Sequence, residues 1–398
     1  MIDYSSLLSE KVQEIKPSGI RKFSELAAEM GNVISLGVGE PDFQTPWAIR
    51  QAGIESLERG RTHYSPNAGF RELKQEIDRY LERRMGLSYS EEETMVTIGG
   101  SEAIDMMIRA VIDPGDEVLI PEPCYVSYDP IARLTGAKVV SIPTRFEDDF
   151  RLTAEALKAA ITPKSKLLIF PYPNNPTGGI MEREDLEAIA EVLRDTNILV
   201  LSDEIYAELT YGGKKHVSIA SIDGMRERTI VVNGFSKTYA MTGWRLGYAV
   251  GPAPLIREMI KIHQFAIMCA PTTSQLAAVE ALRSCDEEIE AMRDEYDMRG
   301  KYLVGELNRI GLECFQPQGA FYVFPSIRRT GLSSEEFCER LLREERVAVI
   351  PGSAFGRWGE GHIRISYCYS LQHLKIAVRK IEKFLKKLER EKHENGQG

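Results

Sequence analysis

Short apolar runs alternate with amphipathic segments between residues 94 and 250. The apolar runs lie at residues 95–98, 117–120, 167–171, 198–202 and 229–233. Continuous apolar runs of this length are typical of parallel strands that are buried on both faces. Between two of these runs, Leu186, Ile189, Ala190 and Leu193 recur at the spacing of one helical face. The alternation predicts an α/β domain whose central sheet is mainly parallel and is sandwiched by helices.

The pattern becomes mainly helical after about residue 275. Residues 280–309 are charged and periodic, which predicts one long helix. Ser333 with Glu336 is typical of a capping box at the start of another helix. Residues 320–324 and 362–366 have the composition of strands. This part of the sequence therefore predicts a second, smaller α+β domain.

Three regions follow from these patterns. Residues 1–45 are predicted to form an N-terminal arm, with a short strand at residues 33–39, and to join part of the small domain. Residues 46–280 form the predicted large domain, and residues 281–398 form the predicted C-terminal small domain.

The composition narrows the function classes. The 398 residues are 43% hydrophobic and carry a net charge of −9, which allows a sizeable core and argues against a general nucleic-acid binder. No apolar run approaches the ~18 residues of a membrane span, and the first thirty residues lack the apolar region of a signal peptide. The six cysteines form no C-x-x-C pair and the six histidines no H-x-x-x-H pair, so no metal site is predicted. We expect a cytoplasmic enzyme.

The residues that follow the predicted strands are candidates for chemistry, because ligands of open α/β sheets bind beyond the carboxyl ends of the strands. The first run is followed by a turn of small residues, Gly99-Gly100-Ser101, and then by Glu102 at the start of a helix. Small residues and free N–H groups at a helix N-terminus favour a phosphate. The alternative is a tight strand-to-helix turn without a ligand.

Three further strand ends carry polar groups. The loop at residues 171–179 contains Asn175 between prolines and glycines, which is typical either of a plain turn or of a loop that fixes side chains for use. Asp203 follows the next run, as a helix N-cap or as a fixed negative charge for a cationic partner. Lys237 follows the last run, next to Ser236, and Arg245 lies eight residues further on. Lys237 alone could equally be a solvated surface lysine.

One ligand requires all of these groups together, and that ligand is pyridoxal 5'-phosphate (PLP). Its phosphate would be bound by the turn at residues 100–102 with Ser101, Ser236 and Arg245, its carbonyl by Lys237, its phenolic oxygen by Asn175 and Tyr206, and its ring nitrogen by Asp203. The set predicts a PLP-dependent enzyme more strongly than any single residue does.

Three motifs resemble those of the fold-type-I PLP enzymes, specifically the class I/II aminotransferases of the aspartate aminotransferase superfamily. They are Asn-Asn-Pro-Thr-Gly at 174–178, Ser-Asp-Glu-Ile-Tyr at 202–206 and Ser-Lys-Thr-Tyr-Ala-Met-Thr-Gly-Trp-Arg-Leu-Gly at 236–247. The resemblance covers nearly the whole chain. It implies a large PLP-binding domain, a transaminase reaction, and Lys237, Asp203 and Tyr206 as catalytic residues, with Lys237 holding PLP as a Schiff base.

The resemblance also implies roles for residues that the strand-end argument does not reach. Tyr125 matches the aromatic residue that stacks on the pyridine ring, and Gly100, Ser101 and Glu102 match the phosphate turn. Tyr64 matches a tyrosine that reaches the phosphate of the neighbouring subunit, which implies a homodimer with shared active sites.

Substrate contacts are implied in the same way. Gly39 and Asn175 match substrate contacts, and Arg364 matches the arginine that grips the α-carboxylate, a role that suits its planar fork.

The substrate is less well defined than the reaction. Ser-Gly-Ile-Arg-Lys-Phe at 18–23 and Gly-Ala-Phe-Tyr-Val-Phe-Pro at 319–325 resemble the branch that holds prokaryotic aspartate, aromatic and N-acetyl-LL-diaminopimelate aminotransferases. Arg21 is a candidate for binding the distal end of the substrate, or is an exposed helix arginine. The expected partners are an L-amino acid and a 2-oxo acid, with 2-oxoglutarate and glutamate as one pair, in a ping-pong reaction.

Two other function classes remain open at this point. Another PLP reaction on the same fold, such as β-elimination, decarboxylation or ring closure, would use the same motifs. A transcription regulator with an aminotransferase-like effector domain would carry an added basic DNA-binding module, and the net charge of −9 argues against one.

Overall fold

Helices and strands alternate along residues 2–395, which are the residues that the computed structural model describes. The α-helices are α1 (Glu10–Gln13), α2 (Gly19–Met30), α3 (Trp47–Glu58), α4 (Arg71–Met85), α5 (Gly99–Val111), α6 (Tyr128–Thr135), α7 (Ala154–Ala160), α8 (Arg183–Leu193), α9 (Ala253–Ala266), α10 (Thr272–Ser284), α11 (Asp286–Arg309), α12 (Ser334–Glu345) and α13 (Leu371–Asn395). The strands are β1 (Ile34–Ser35), β2 (Thr94–Thr97), β3 (Glu117–Glu122), β4 (Lys138–Pro143), β5 (Ser165–Phe170), β6 (Leu199–Asp203), β7 (Thr229–Gly234), β8 (Gly247–Val250), β9 (Tyr322–Val323), β10 (Val347–Ala348), β11 (Ile350–Pro351) and β12 (Ile363–Ser366).

Seven strands form the central sheet, in the order β2-β8-β7-β6-β5-β3-β4. Strand β8 is antiparallel to both of its neighbours, and the other pairs are parallel. The predicted mainly parallel sheet is therefore confirmed. Strands β2, β3, β5, β6 and β7 all end at the same edge of the sheet.

Both faces of the central sheet are covered by helices. Neighbouring residues of one strand belong to different hydrophobic clusters: Val118 packs in the cluster that contains α5 and α9 residues, whereas Leu119 packs in the cluster that contains α8 residues. In β7, Ile230 joins the first of these clusters and Val231 packs against α4 and α10 residues. This burial on both faces explains why the strands have continuous apolar runs.

The C-terminal part of the chain forms a second hydrophobic core. Strands β11, β12 and β9 form an antiparallel sheet, and its cluster includes buried residues of α11, α12 and α13. One face of α13 is apolar and packs in the same core, since Ile381, Leu385 and Leu388 are all buried. The fold class, with a large α/β part and a smaller α+β part, is thereby confirmed.

The N-terminal segment joins the C-terminal part of the chain. Strand β1 pairs in parallel with β10, with Ile34 opposite Val347. This pairing supports the assignment of residues 1–45 to an arm and the small domain. The boundaries at residues 45 and 280 stay predictions, and Met1 and residues 396–398 lie outside the described residues.

The structure corrects three element predictions. Residues 280–309 form two helices rather than one, because α10 ends at Ser284 and α11 starts with Asp286, Glu287 and Glu288, acidic residues that favour a helix N-terminus. The predicted strand at residues 33–39 is reduced to β1, since glycines weaken a strand. Similarly, the strand predicted at 320–324 is reduced to β9.

Two strands of the central sheet were not predicted. Strand β4 lies at the edge of the sheet and is partly exposed, so it lacks a continuous apolar run. Strand β8 has only four residues and follows a motif rich in glycine. None of the helices in residues 2–395 has an apolar stretch long enough to cross a membrane.

The buried imidazole of His362 makes the stability of the protein dependent on pH. His362 is 1% exposed, stacks on Phe324 with ring centroids 5.1 Å apart, and has no hydrogen-bond partner among the described residues. Burial, together with the charge of Arg328, lowers its pKa from 6.5 to about 4. The unfolded chain therefore binds more protons below pH 6.5, and stability is lost as the pH falls from 6.5 towards 4.

We expect this histidine to lower the free energy of unfolding by about 2 kcal/mol at pH 5 relative to pH 7.5. Urea unfolding of the wild type and of His362→Phe at both pH values measures the effect, and the variant should lose less stability at pH 5. His373→Gln, an exposed histidine, serves as the control. An equal loss in His362→Phe and the wild type would contradict the assignment.

Candidate active site

One cavity of about 1550 Å³ lies where the carboxyl ends of β2, β3, β5, β6 and β7 meet. Eleven of the thirteen residues predicted for the site line it: Gly39, Gly100, Ser101, Tyr125, Asn175, Asp203, Tyr206, Ser236, Lys237, Arg245 and Arg364. Glu102 and Tyr64 are the two that do not. The fold thus brings together residues that the strand-end argument selected and three, Gly39, Tyr125 and Arg364, that the resemblance implied.

Lys237 follows directly after β7 and its amine faces the N-terminal segment. Its Nζ donates a hydrogen bond to the carbonyl oxygen of Gly39, at 2.7 Å. Burial lowers the pKa of Lys237 to about 8, and the charges of Arg364 and Arg245 act in the same direction. At pH 7 roughly one amine in ten is then neutral, far more than for a free lysine with a pKa near ~10.4. The site thus supplies the neutral amine that attack on a carbonyl requires.

Asp203 is the last residue of β6 and its carboxylate is 7% exposed. Its Oδ2 accepts a hydrogen bond from the Tyr128 hydroxyl at 2.7 Å, and its Oδ1 accepts one from the Ile205 backbone at 3.2 Å. Burial raises its pKa, against the opposing effect of the Tyr128 hydrogen bond. Asp203 forms no ion pair with any residue between 2 and 395. A cationic ligand group beside it would offset the cost of burying the charge.

Two tyrosine hydroxyls meet on another wall of the cavity. The hydroxyls of Tyr206 and Tyr322 are 2.8 Å apart, and both residues are buried. Burial raises the pKa of Tyr206 well above its usual value, so it stays a neutral phenol that can donate one hydrogen bond. Tyr125, across the cavity, packs edge-on against Tyr128 and leaves a ring face for a planar ligand.

Arg364, on β12, is 2% exposed and forms the most constrained cation of the site. Its Nη1 donates to Oδ1 of Asn175 at 2.9 Å, and its Nη2 donates to the carbonyl oxygen of Gly37. The rings of Tyr322 and Phe355 lie 4.5 and 4.8 Å from the guanidinium carbon. The aromatic contacts fix the plane of the guanidinium, which suits bidentate binding of a carboxylate.

The phosphate end of the site is built from a turn and an arginine. Gly99 has φ +69°, and a Cβ at this position would lie 2.7 Å from Nη2 of Arg245. The backbone conformation thus favours glycine here, and the absence of a side chain leaves room for the guanidinium of Arg245. The free N–H groups at the N-terminus of α5, the hydroxyls of Ser101 and Ser236, and the guanidinium of Arg245 are donors of the kind that a phosphate dianion requires.

Glu102 and Tyr64, the two predicted site residues that do not line the cavity, make contacts elsewhere or are exposed. The side chain of Glu102 turns away from the cavity and bonds to His263 and to the backbone of Ile98. Its predicted contact with the cofactor is therefore limited to its backbone N–H and stays a prediction. Tyr64 is 82% exposed and lies outside the cavity of its own subunit, so its role requires a partner.

Sequence reasoning missed Tyr128, Tyr322 and Phe355. Tyr128 holds the predicted aspartate, and Tyr322 and Phe355 hold the predicted arginine. Tyr322 lies within the motif at residues 319–325, which indicated a branch of the family but no contact with the site. These residues touch other site residues rather than following a long buried strand, so no local pattern in one sequence points to them.

The residues present fit PLP. The donors of the phosphate turn, the amine of Lys237, the hydroxyl of Tyr206 and the unpaired carboxylate of Asp203 all face one cavity with room for the ring. When it is bound, PLP supplies an electron-accepting ring that stabilises negative charge on the substrate carbon.

Comparisons with known proteins identify the family. A family model described as aminotransferase class I and II matches residues 31–381. The chain is 52% identical to a putative aminotransferase, YugH, of Bacillus subtilis over 96% of this chain and 99% of that one. It is 46% identical to an aspartate aminotransferase of Pyrococcus abyssi, over 95% and 98% of the two chains.

Solved structures agree. A Pyrococcus protein named protein-A1 superposes with a TM-score of 0.93 and 46% identity, over 95% of this chain and 98% of that one. The aspartate aminotransferase of Thermus thermophilus with maleate superposes with a TM-score of 0.91 and 37% identity, over 94% and 99% of the two chains. The chain therefore belongs to the class I and II aminotransferases, a PLP-dependent family that transfers amino groups between amino acids and 2-oxo acids.

Proposed function

We propose that the protein transfers the amino group of an L-amino acid to a 2-oxo acid by ping-pong kinetics, with 2-oxoglutarate and glutamate as one pair. The observation that carries this proposal is the placement of Lys237 and Arg364 in one cavity. Arg364 would bind the α-carboxylate and so direct the Cα–H bond towards the amine of Lys237. Lys237 would then move that proton from Cα to the C4′ carbon of the cofactor, and the second half-reaction, with the 2-oxo acid, would run the same transfer in reverse.

The proposed donors are N-acetyl-LL-diaminopimelate, aspartate and aromatic amino acids. Support comes from relatives that carry these names: an aromatic-amino-acid aminotransferase of Thermococcus litoralis is 44% identical, and a probable N-acetyl-LL-diaminopimelate aminotransferase of Bacillus subtilis is 43% identical. Arg21 lines the rim of the cavity, is exposed, and has no ion-pair partner among residues 2–395. We propose that it binds a distal carboxylate when the substrate has one.

A donor screen tests the reaction and its substrates. Glutamate, aspartate, aromatic amino acids and N-acetyl-LL-diaminopimelate are each supplied with 2-oxoglutarate, and both products are quantified. A stoichiometric 2-oxo acid with matching glutamate supports transamination. Pyruvate and ammonia formed without an acceptor would instead favour β-elimination, and carbon dioxide would favour decarboxylation.

Replacing Arg364 with lysine tests the carboxylate clamp. We expect Arg364→Lys to lower kcat/KM for the best donor by roughly 10- to 100-fold, mainly through KM, because lysine keeps the charge but lacks the planar fork. Steady-state kinetics measure the effect, and Arg343→Lys, on an exposed face of α12, serves as the control. A fall in kcat at unchanged KM would contradict a ground-state contact with the carboxylate.

We propose a homodimer in which each active site contains Tyr64 of the partner subunit. A second cavity, of about 840 Å³, opens beside Arg245 and is lined by Arg50, Trp244 and Ser274, so it offers a path to the phosphate end from outside. Trp47, whose ring lies 5.0 Å from the guanidinium carbon of Arg50, is 60% exposed beside this cavity. A partner subunit bound at this face would cover that ring.

Mixing two inactive variants tests the shared site. Lys237→Ala and Tyr64→Ala subunits are unfolded together, refolded and assayed. If Tyr64 serves the partner's site, each heterodimer contains one intact site, and activity returns to about half that of the wild type in the heterodimer fraction. If Tyr64 serves its own subunit, no heterodimer site is intact and no activity returns. Refolded single variants provide the baseline.

A further inference from the structure

Glu102 uses both of its carboxylate oxygens inside the protein. Its Oε2 accepts a hydrogen bond from the backbone N–H of Ile98 at 2.5 Å, and its Oε1 lies 2.7 Å from Nδ1 of His263. Because a carboxylate can only accept, Nδ1 of His263 carries the hydrogen of this bond. Glu102 thus connects the residue that precedes α5 to a side chain of α9.

The residues held in this way form the phosphate turn. Ile98 is the N-cap of α5, and Gly99 and Gly100 follow it. The only other side-chain bond to this turn in the described residues comes from the hydroxyl of Thr97, which donates to the carbonyl oxygen of Gly99 at 2.9 Å. The direction in which the first N–H groups of α5 point therefore depends on Glu102.

The surroundings of His263 indicate that its contact with Glu102 is its main role. It is 0% exposed, and its Nε2 has no hydrogen-bond partner among residues 2–395. An unpaired buried nitrogen destabilises a protein, so a leucine or methionine would fill the same space at lower cost. The bond between Nδ1 and Glu102 is the evident reason for a histidine at this position.

The negative charge of Glu102 also affects how well the N-terminus of α5 can bind an anion. A free carboxylate in the first turn of α5 would repel a phosphate at the same helix end. N–H donors bind both of its oxygens, so the negative charge of Glu102 is neutralised in part. The helix end stays attractive for an anion.

We propose that Glu102 and His263 are positioning residues that brace the phosphate turn and thereby set the affinity of the protein for the phosphate of its cofactor. Neither residue is required to touch the cofactor through its side chain. The proposal rests on the PLP site described above and adds two residues behind it.

Titration of the cofactor-free protein with PLP tests the brace. We expect His263→Leu to raise the Kd for PLP by roughly 10- to 100-fold, because a hydrogen bond to a charged group is lost. Pyridoxal, which lacks the phosphate, should bind the variant and the wild type within about twofold of each other, and kcat at saturating PLP should change by less than about threefold. His263→Asn, whose amide nitrogen takes the place of Nδ1, should restore most of the affinity.

A control variant on the same helix and a second substitution in the pair distinguish a brace from a purely structural contact. Glu258→Gln, on the exposed face of the same helix, should leave the Kd unchanged. If His263→Leu does not fold, the Kd values of Glu102→Met, which lacks both acceptor oxygens, for PLP and for pyridoxal are compared with those of the wild type. A Kd for PLP within twofold of the wild type, with a lowered melting temperature, would show a structural pair only and overturn the proposal. Failure of the wild type to bind PLP would instead overturn the assigned cofactor site.

Discussion

Lys237→Ala should lose the yellow colour of the purified protein and lower kcat by about 10²–10⁴-fold, the contribution expected of a positioned acid–base group. The amine of Lys237 lies in the cavity and burial lowers its pKa to about 8; among residues 2–395 its one hydrogen-bond acceptor is the carbonyl oxygen of Gly39. An amine held by one backbone acceptor is free to exchange that bond for a covalent link and, later in the reaction, for the substrate proton. Alanine can do neither.

Absorbance spectra and steady-state kinetics measure both effects of this substitution. Borohydride reduction of the wild type, followed by peptide mass spectrometry, should place the cofactor on residue 237. Lys261→Ala, an exposed lysine of α9, is the matched control and should keep colour and activity. Cofactor attached to a different lysine, or colour retained in Lys237→Ala, would refute the assignment.

Asp203→Asn is expected to keep the cofactor but lower kcat by about 10²–10⁴-fold. Removing one partner of a buried ion pair costs about 3–5 kcal/mol, and each 1.36 kcal/mol corresponds to a tenfold change in rate. The asparagine preserves the shape and the hydrogen bond of Tyr128 but cannot stabilise a protonated ring nitrogen. The change should therefore fall on turnover and spare the anchors at Lys237 and Arg245.

The measurement separates binding from turnover. PLP content is determined after dialysis, and kcat is determined at saturating substrates, for Asp203→Asn and for Asp223→Asn, an exposed aspartate. Asp203→Glu, which restores the charge, should recover part of the lost rate. A variant with normal kcat would show that Asp203 has no electronic role, and one without cofactor would make it an anchor instead.

The sequence predicts the parts of the site that follow long buried strands. Asp203 ends β6 and Lys237 follows shortly after β7. The continuous apolar runs of both strands are visible without any structure, and their parallel order brings the two residues to one edge. Arg364 lies on β12 of a different sheet, so only the resemblance to a family, rather than periodicity, assigned it.

The site residues that were not predicted contact residues that are distant from them in the sequence. His263 is 161 positions from Glu102, and Tyr322 is 116 positions from Tyr206. Local spacing cannot reveal such pairs, because one sequence contains no record of which distant residues meet. The break between α10 and α11 was missed for a different reason: its acidic residues read equally well as the exposed face of one long helix.

Residues 37–39 bind two of the cations of the site through backbone atoms: the carbonyl oxygen of Gly37 accepts from Arg364, and that of Gly39 accepts from Lys237. No point mutation can delete a carbonyl, so these acceptors are beyond the reach of side-chain engineering. A Cβ at Gly39 would lie 1.8 Å from the Tyr322 hydroxyl, so even alanine there would displace the ring that orients Arg364. Mutant libraries that aim to change the substrate range should therefore keep residues 37–39 unchanged and vary residues on the opposite wall of the cavity.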